Sequence, residues 1–278
     1  MASVIDLLKN KLSDEELELV PRAYDMVGDI IVLELDEKLR HKEKEIASAF
    51  LKFHKNARVI CKKIGFTSGE ERVRPIKIIA GEKRTETIHK ENNCRYKVDL
   101  SKVFFTPRLA NERLRIANQV KDGEVIVDLF AGVGPFSILI AKRKNVKIFA
   151  IDKNKYAYKF LIENIKLNKV EDKITAFWGD CRDVVKKENL VNVADRVIMN
   201  LPKQACDFLD IAFLCAKKNA TIHFYYFLPE EEIFDGAIKI IKERAKEFGK
   251  KIKILSSLKC GDLAPRVYRV VIDFSVNY

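Results

Sequence analysis

The sequence has no apolar run near the ~20 residues that a membrane-spanning helix needs, which argues against an integral helical membrane protein. Its six cysteines include no C-x-x-C pair, and its four histidines show no metal-ligand spacing. The N-terminus has no secretory signal pattern, and the chain has no internal repeat or Gly/Ser linker. We therefore expect a cytoplasmic protein with reduced cysteines, no membrane association and no metal.

Basic residues are in excess. The 52 lysines and arginines against 40 aspartates and glutamates give a net charge of +12. Such a balance suggests a polyanionic partner, although a solubilising lysine-rich surface would account for it equally well. From Arg58 to Arg115, 15 basic and 7 acidic residues give +8. Clustered positive charge of this kind favours phosphate contacts with a nucleic acid.

The secondary-structure pattern changes near residue 93. Residues 1–93 mix short elements, with a helical pattern at 13–20 that a Ser13–Glu16 capping box begins, a strand-like run at 27–35, a helical pattern at 37–54 and short β-like runs after it. This mixture predicts a small α+β domain. Residues 94–278 alternate strands with helices, which predicts an α/β, Rossmann-like domain with a mostly parallel sheet. The expected strands lie at 126–130, 147–152, 174–180, 196–202 and 220–227, with two more after the last helix. The expected helices between them lie at 135–143, 154–168, 204–217 and 230–248.

The first strand of the second domain leads into a helix through DLFAGVGPF (128–136). Gly132 and Gly134 allow a tight turn and close approach to a ligand. A dinucleotide-binding turn would carry a third glycine where Ser137 stands. A carboxylate at Asp128 would repel phosphate but suits the cationic methionine end of S-adenosylmethionine. The loop therefore favours an S-adenosylmethionine-dependent methyltransferase over a dehydrogenase.

Acidic residues also follow the next two strands. Asp152 lies 20 residues past Gly132, where an acid binds ribose hydroxyls, and Asp180 lies where the adenine amino group is expected. Trp178, two residues before Asp180, is expected in the core or in the wall of the adenine pocket. Each acid alone could merely cap the following helix, but three in register fit that interpretation poorly. With seven expected strands, the last antiparallel, the pattern predicts a class I methyltransferase domain.

The fourth strand ends in Asn200-Leu201-Pro202. Amino-N-methyltransferases place Asn or Asp here, followed by x-Pro-aromatic, so that polar groups accept hydrogen bonds from the target amine. Lys203 occupies the aromatic position, which argues against a plain exocyclic-amine methyltransferase.

The chain resembles the archaeal and eukaryotic tRNA (guanine-37-N1)-methyltransferase family over essentially its whole length. The segments that carry the resemblance are RVR (72–74), AGEKRTETIHKENN (80–93), FTPRLANER (105–113), DLFAGVGPF (128–136), NIKLNKVEDKI (164–174), VIMNLPKQACDFLD (197–210) and AP-R (264–266). The resemblance implies a tRNA anticodon stem-loop as partner and a monomer. Archaeal members often carry an extra small N-terminal domain, which we expect this chain to lack.

The resemblance also implies roles for individual residues. Glu112 matches a proposed general base, Arg72 an arginine that holds guanine O6, and Asn200 a residue that orients the base. The predicted cofactor-pocket residues are Arg113, Asp128, Phe130, Gly132, Gly134, Asp152, Lys153, Asp180, Cys181, Asn200 and Pro202. Glu112 could instead pair on the helix surface with Arg108 or Arg115, and Arg72 could simply be solvated.

The chemistry needs these residue types. Guanine N1 is a poor nucleophile until its proton leaves, and a carboxylate in a partly desolvated pocket can take that proton. The resulting charge on O6 suits an arginine. The base must also leave the anticodon-loop stack to reach the pocket.

Three other functions remain open at this point. One is the sibling enzyme of wyosine synthesis that transfers the aminocarboxypropyl arm of the cofactor, against which the N-L-P segment argues. Another is a bifunctional enzyme that also methylates the wyosine precursor. The third is a non-catalytic RNA-binding protein with a degenerate methyltransferase domain, which the intact cofactor loop makes a poor fit.

Overall fold

The structure, a computed structural model, describes residues 3–65, 73 and 75–277, and Arg72 lies outside them. It forms two compact units, Met1–Pro107 and Arg108–Tyr278. The sequence places the domain boundary near residue 93, inside a hairpin whose strands pair from Glu86↔Asp99 to Glu91↔Cys94. Because the two strands of this hairpin are hydrogen-bonded to each other, residues 94–107 belong to the first unit. Within the described residues, no helix is long and apolar enough to cross a membrane.

The first unit contains a four-stranded sheet in the order β1-β2-β3-β4 and a separate β5–β6 hairpin. Its strands are β1 (Asp25–Val27), β2 (Ile30–Leu33), β3 (Val59–Lys63), β4 (Ile76–Gly81), β5 (Glu86–Glu91) and β6 (Cys94–Asp99). Its α-helices are α1 (Asp14–Leu19) and α2 (Glu43–Phe53). The Ser13–Glu16 capping box begins α1 as the sequence predicts, with both reciprocal hydrogen bonds present.

Two predictions for this unit are wrong in detail. Residues 27–35 were expected to form one strand, but the chain reverses and Val27 pairs with Ile30. Gly28 has a φ of 57°, and Gly28-Asp29 forms the two-residue turn between β1 and β2. The predicted helix over 37–54 begins as a 3-10 turn, Glu37–Lys42, before α2.

The second unit contains a seven-stranded sheet in the order β12-β13-β11-β10-β7-β8-β9. Its strands are β7 (Val125–Asp128), β8 (Lys147–Asp152), β9 (Ile174–Trp178), β10 (Ala194–Met199), β11 (Ala216–Pro229), β12 (Lys251–Ala264) and β13 (Val267–Asn277). Its α-helices are α3 (Ala110–Gln119), α4 (Pro135–Arg143), α5 (Lys155–Asn168), α6 (Cys181–Lys187), α7 (Leu209–Cys215) and α8 (Asp235–Glu247). β13 is antiparallel to both neighbours, and the five strands from β11 to β9 are parallel. The predicted Rossmann-like, mostly parallel class I sheet is therefore confirmed.

The two faces of this sheet differ in chemistry. One face carries apolar residues such as Val127, Val197 and Ile222, which pack with α6, α7 and α8 in one core cluster. Because side chains alternate along a strand, the adjacent register row, Asp128-Ile198-His223-Asp273, points to the other face. α3 and α4 contribute side chains to that second face, since Arg115 contacts Asp273 and Ser137 contacts Asp128.

Candidate active site

The predicted polar residues lie along one edge of the second unit's sheet. β10, β7, β8 and β9 are adjacent and parallel, so their carboxyl ends meet at the same edge. Asp128 and Asp152 end β7 and β8, while Asp180 and Asn200 follow β9 and β10. In open parallel sheets this edge is where ligands bind.

The glycine loop at this edge has two distinct glycines. Gly132 (φ 58°) and Gly134 (φ 88°) both lie in the left-handed region. A Cβ at Gly134 would lie 2.5 Å from Leu161 Cδ1, so this glycine allows packing beneath the loop. A Cβ at Gly132 would meet no described heavy atom within 4 Å, so that position borders open space. The Gly132 N–H donates to Asp152 Oδ2 at 2.6 Å, which joins the loop to the next strand end.

Asp128 is buried, and its two oxygens have different environments. Oδ2 accepts a hydrogen bond from Ser137 Oγ at 2.7 Å, whereas Oδ1 has no partner among the described residues. Burial raises the pKa of Asp128 to about 7, against the opposing effect of the Ser137 hydrogen bond. Ser137, which stands where a dinucleotide loop has its third glycine, thus holds the carboxylate; the sequence did not single out this role. The free acceptor suits a cationic ligand.

The other two strand-end acids also have local partners. Asp180 caps α6, because its Oδ1 accepts from the Arg182 N–H at 3.0 Å. Its other oxygen lies 3.8 Å from Lys153 Nζ. Asp152 Oδ1 accepts from the Asn154 N–H at 2.9 Å, but Asn154 itself caps α5. Helix capping therefore explains one oxygen of Asp180, whereas Asp152 does not cap a helix.

Aromatic and sulfur side chains surround this part of the edge. Phe130 packs edge-on against Phe208 with ring centroids 5.0 Å apart. Cys181 lies in the core cluster, and burial raises its pKa to about 12, so the thiol stays protonated. Trp178 was expected in the core or in the wall of an adenine pocket, but its side chain is 55% exposed, so the core assignment is wrong. Its Nε1 donates to the Lys153 carbonyl, which holds the indole at the surface.

The N-L-P segment continues the same edge. Asn200 directly follows β10, and its Oδ1 is buried without a partner among the described residues. The buried Pro202 offers its carbonyl to the Phe227 N–H at 3.2 Å, which ties the segment to β11. Since Met199 pairs with Phe224, Tyr225 is level with Asn200 on the neighbouring strand, β11.

Glu112 reaches this end of the sheet through Tyr225. It is 7% exposed, and its Oε1 accepts from Tyr225 Oη at 2.6 Å. Arg115 binds the same carboxylate through two nitrogens, Nε to Oε2 at 2.7 Å and Nη2 to Oε1 at 2.8 Å. The expected pair with Arg115 is therefore present, but the carboxylate is buried and Arg115 is only 23% exposed, so the pair does not lie on an open helix surface. The neighbouring Arg113 is 2% exposed.

The described part of the chain contains no group of three or more His, Cys, Asp or Glu residues arranged to hold a metal. The polar groups at this edge instead offer hydrogen-bond acceptors, two of them buried and unpartnered. Such a site suits a ligand that carries positive charge and N–H donors.

Comparison with known proteins identifies related domains in both units. A profile described as the TRM5/TYW2 methyltransferase domain matches residues 87–255. A second profile, described as the TYW2 N-terminal domain, matches residues 4–85.

Individual relatives include members with different printed activities. The chain is 44% identical to the tRNA (guanine(37)-N(1))-methyltransferase Trm5b of Pyrococcus abyssi, over 93% of this chain and 76% of the relative. It is 35% identical to the tRNA(Phe) (4-demethylwyosine(37)-C(7)) aminocarboxypropyltransferase of Pyrococcus horikoshii, over 98% of this chain and 95% of the relative.

Solved structures show the same fold with ligands bound. The structure of aTrm5 with tRNALeu matches with a TM-score of 0.86 at 39% identity, over 99% of this chain and 78% of that one. The structure of Methanocaldococcus jannaschii TYW2 with AdoMet matches with a TM-score of 0.71 at 31% identity, over 92% of this chain and 99% of that one.

Proposed function

We propose that this chain, which belongs to the TRM5/TYW2 methyltransferase family, is an S-adenosylmethionine-dependent tRNA (guanine(37)-N1)-methyltransferase. The observation that carries the proposal is the position of Glu112. Its buried carboxylate accepts a hydrogen bond from Tyr225, which is level with Asn200 on the neighbouring strand, and Asn200 Oδ1 has no partner among the described residues. A carboxylate base and an unpartnered acceptor for base N–H groups suit deprotonation of a guanine.

The edge of the sheet fits the proposed cofactor. Asp128 offers Oδ1 to the ammonium of the methionine moiety, and the open space at Gly132 lets the ligand approach the loop backbone. Asp152 would accept from the ribose hydroxyls and Asp180 from the adenine amino group. Arg113, Phe130, Lys153, Cys181 and Pro202 are proposed to complete the pocket. S-adenosylmethionine supplies a methyl group that its sulfonium already activates.

The proton and the methyl group follow separate paths in this mechanism. Glu112 would take the proton of guanine N1 at Oε2, which accepts one hydrogen bond from the described residues, from Arg115 Nε. The electron pair left on N1 would then accept the methyl group that bound S-adenosylmethionine would supply, and the donor would leave with the electrons of its carbon–sulfur bond. Asn200 Oδ1 accepts from the guanine N–H groups and fixes the ring, and Arg72 is proposed to stabilise the charge on O6.

The basic stretch from Arg58 to Arg115 is proposed to contact the tRNA. Its +8 charge suits the phosphates of an anticodon stem-loop, and such contacts give affinity without reading sequence. A relative of the same fold forms a complex with tRNALeu, which supports a tRNA substrate.

A second activity has one observation in its favour. The first unit matches the profile of the TYW2 N-terminal domain, and an aminocarboxypropyltransferase is 35% identical over most of the chain. That reaction would attach the longer arm of the same cofactor to a wyosine precursor. Asn200-Leu201-Pro202 and the higher identity to Trm5b favour methyl transfer to guanine.

Nucleoside mass spectrometry distinguishes these activities. The protein is incubated with labelled S-adenosylmethionine and tRNA transcripts that carry either guanosine or the wyosine precursor at position 37. The proposal requires N1-methylguanosine at that position and no aminocarboxypropyl product. Transfer of the longer arm, or no transfer at all, would contradict it.

Glu112→Gln tests the proposed base within that reaction. The substitution keeps the size of the side chain but removes its basicity, so single-turnover methyl transfer should fall by ~10² or more. Cofactor and tRNA affinity should stay within a few-fold. Asp195→Asn is a suitable control, because Asp195 pairs with Lys217 near the opposite end of β10. Near wild-type transfer by the Glu112 variant would show that another group removes the proton.

A further inference from the structure

A chain of buried polar side chains extends from Glu112 across the second unit, and the proposed mechanism does not use it. Its centre is Asp273, which is 2% exposed. Asp273 accepts from Arg115 Nη1 at 2.6 Å, His223 Nδ1 at 2.6 Å and Ser256 Oγ at 2.9 Å. Burying charged and polar side chains within a sheet costs free energy unless each one has a hydrogen-bond partner. The fold itself therefore gives no reason for this cluster.

The partners of His223 determine its protonation state. Arg196 Nη1 lies 2.7 Å from His223 Nε2, and a guanidinium can only donate, so Nε2 must accept. The ring proton is therefore on Nδ1, which donates to Asp273. Burial lowers the pKa of His223, consistent with a neutral ring. Glu124 in turn binds Arg196 through both oxygens, at 2.8 and 3.1 Å.

Arg115 consequently serves two carboxylates. Its guanidinium contacts Glu112 on one side and Asp273 on the other. Burial alone would raise the pKa of Asp273, but the hydrogen bonds from His223 and Arg115 hold it well below its usual range. Asp273 thus remains an anion beside Arg115. Its negative charge repels a negative Glu112 and so offsets part of the stabilisation that Arg115 gives to that carboxylate.

We propose that Asp273 and Tyr225 are positioning residues that fix the Glu112 carboxylate and set its strength as a base in opposite directions. This inference rests on the proposed function of Glu112. Tyr225 donates to Oε1 and favours the anion, which weakens the base. Asp273 offsets Arg115, which restores basicity. A carboxylate bound by Arg115 alone would be a poor acceptor for the proton of guanine N1.

The other titratable groups near this cluster do not carry the effect. Cys260 of β12 faces Glu112, and burial raises its pKa to about 12, so it stays neutral over the working range. Arg269 of β13 lies near Cys260 and Tyr225, and Arg113 lies near Arg269. Both arginines remain protonated at any pH at which the enzyme would be assayed.

The pH dependence of single-turnover methyl transfer tests the proposal. The rate should rise with pH to a plateau. Tyr225→Phe removes a donor to the carboxylate, so the rise should move to higher pH by about one unit. Asp273→Asn removes a negative charge, so the rise should move to lower pH, with a plateau reduced ~10-fold because the base is weaker. General damage to the fold would not shift the two profiles in opposite directions.

Tyr226→Phe is the matched control, since Tyr226 is the next residue on β11 and its hydroxyl lies 3.9 Å from Cys206 Sγ. Its profile should match the wild type. If Asp273→Asn fails to fold, Arg115→Lys replaces it, because lysine cannot bridge both carboxylates, and transfer should fall at unchanged cofactor affinity. Suppose that the Glu112→Gln variant is inactive but the two pH profiles do not shift, or shift in the same direction. That result would overturn the positioning roles and leave the proposed base in place. Near wild-type transfer by Glu112→Gln would overturn the proposed base, and the inference with it.

Discussion

Replacing Asp128 by asparagine should stabilise the free protein and abolish tight cofactor binding. Burial raises the pKa of Asp128 from an ordinary 3.8 to about 7. The folded state therefore binds this proton more tightly than the unfolded chain does. Stability from this group is fully present below pH 4 and is lost as the pH rises to about 7.

The size of the effect follows from the shift. A difference of about 3 pKa units at 1.36 kcal/mol each corresponds to ~4 kcal/mol lost from the free energy of unfolding across that window. Asparagine does not titrate, so it avoids this loss. Its carbonyl can still accept from Ser137 Oγ, but its amide would take the place of the unpartnered Oδ1 and cost ~1–3 kcal/mol. The variant should therefore be more stable by ~1–3 kcal/mol near pH 8 and show no gain near pH 4.

Two measurements check this prediction. Urea unfolding of both proteins from pH 4 to pH 8 gives the stability difference, and calorimetry gives affinity for S-adenosylmethionine. Wild-type affinity should increase up to about pH 7, because the cation needs the ionised carboxylate. The variant should bind at least ~10-fold more weakly, without that pH dependence. Asp172→Asn, a change of an exposed acid, should alter neither quantity. A variant that loses stability at every pH would refute the assignment of a raised pKa and a ligand-facing Oδ1.

Three further predictions concern the same edge and the tRNA. Asp152→Ala should weaken S-adenosylmethionine binding by ~1–3 kcal/mol in calorimetry and also lower the Tm, because its oxygens hold the N–H groups of Gly132 and Asn154; unchanged affinity would mean that the pocket lies elsewhere. Both Gly→Ala changes introduce strain at a positive φ, but Gly134→Ala should lower stability more, by over ~1 kcal/mol, because its Cβ also meets Leu161, whereas Gly132→Ala should in addition reduce cofactor affinity; equal losses of stability would contradict this division. The affinity for tRNA should fall steeply with salt, linear on a double-logarithmic plot, and a flat dependence would remove the argument from the +8 stretch.

Periodicity predicted the strand order and the first helices of the second unit well, because its strands are buried and its helices follow directly. It missed α6, and it extended the helix before β11 to residue 217, although β11 begins at Ala216. α4 has the predicted bounds, Pro135–Arg143, and α5 begins one residue later than expected, after its Asn154 cap. The strand-end acids could be located for the same reason, since parallel strands place their carboxyl ends together. The antiparallel insertion of β13 was also predicted from the two strands after the last helix.

Local pattern failed where tertiary context or a single backbone angle decides the structure. The hairpin at Gly28 depends on one positive φ, and the continuous apolar run that follows, Ile30–Leu33, was interpreted as one strand together with Val27. Trp178 was expected in the core or in the wall of an adenine pocket, but it ends an edge strand, where one side of the indole meets solvent. The role of Ser137 required knowing that α4 places its hydroxyl 2.7 Å from Asp128.

The case of Glu112 shows why the local and the functional interpretation of a residue need not exclude each other. Spacing of three residues correctly indicated a pair with Arg115, which by itself would be a common helix contact. What spacing cannot show is that Asp273, 158 residues further along the chain, shares the same guanidinium. An arginine neutralised by one carboxylate is a structural pair, whereas an arginine shared by two leaves one of them with capacity to accept a proton. The surplus negative charge, and not the presence of the pair, is therefore the feature that makes Glu112 suitable as a base.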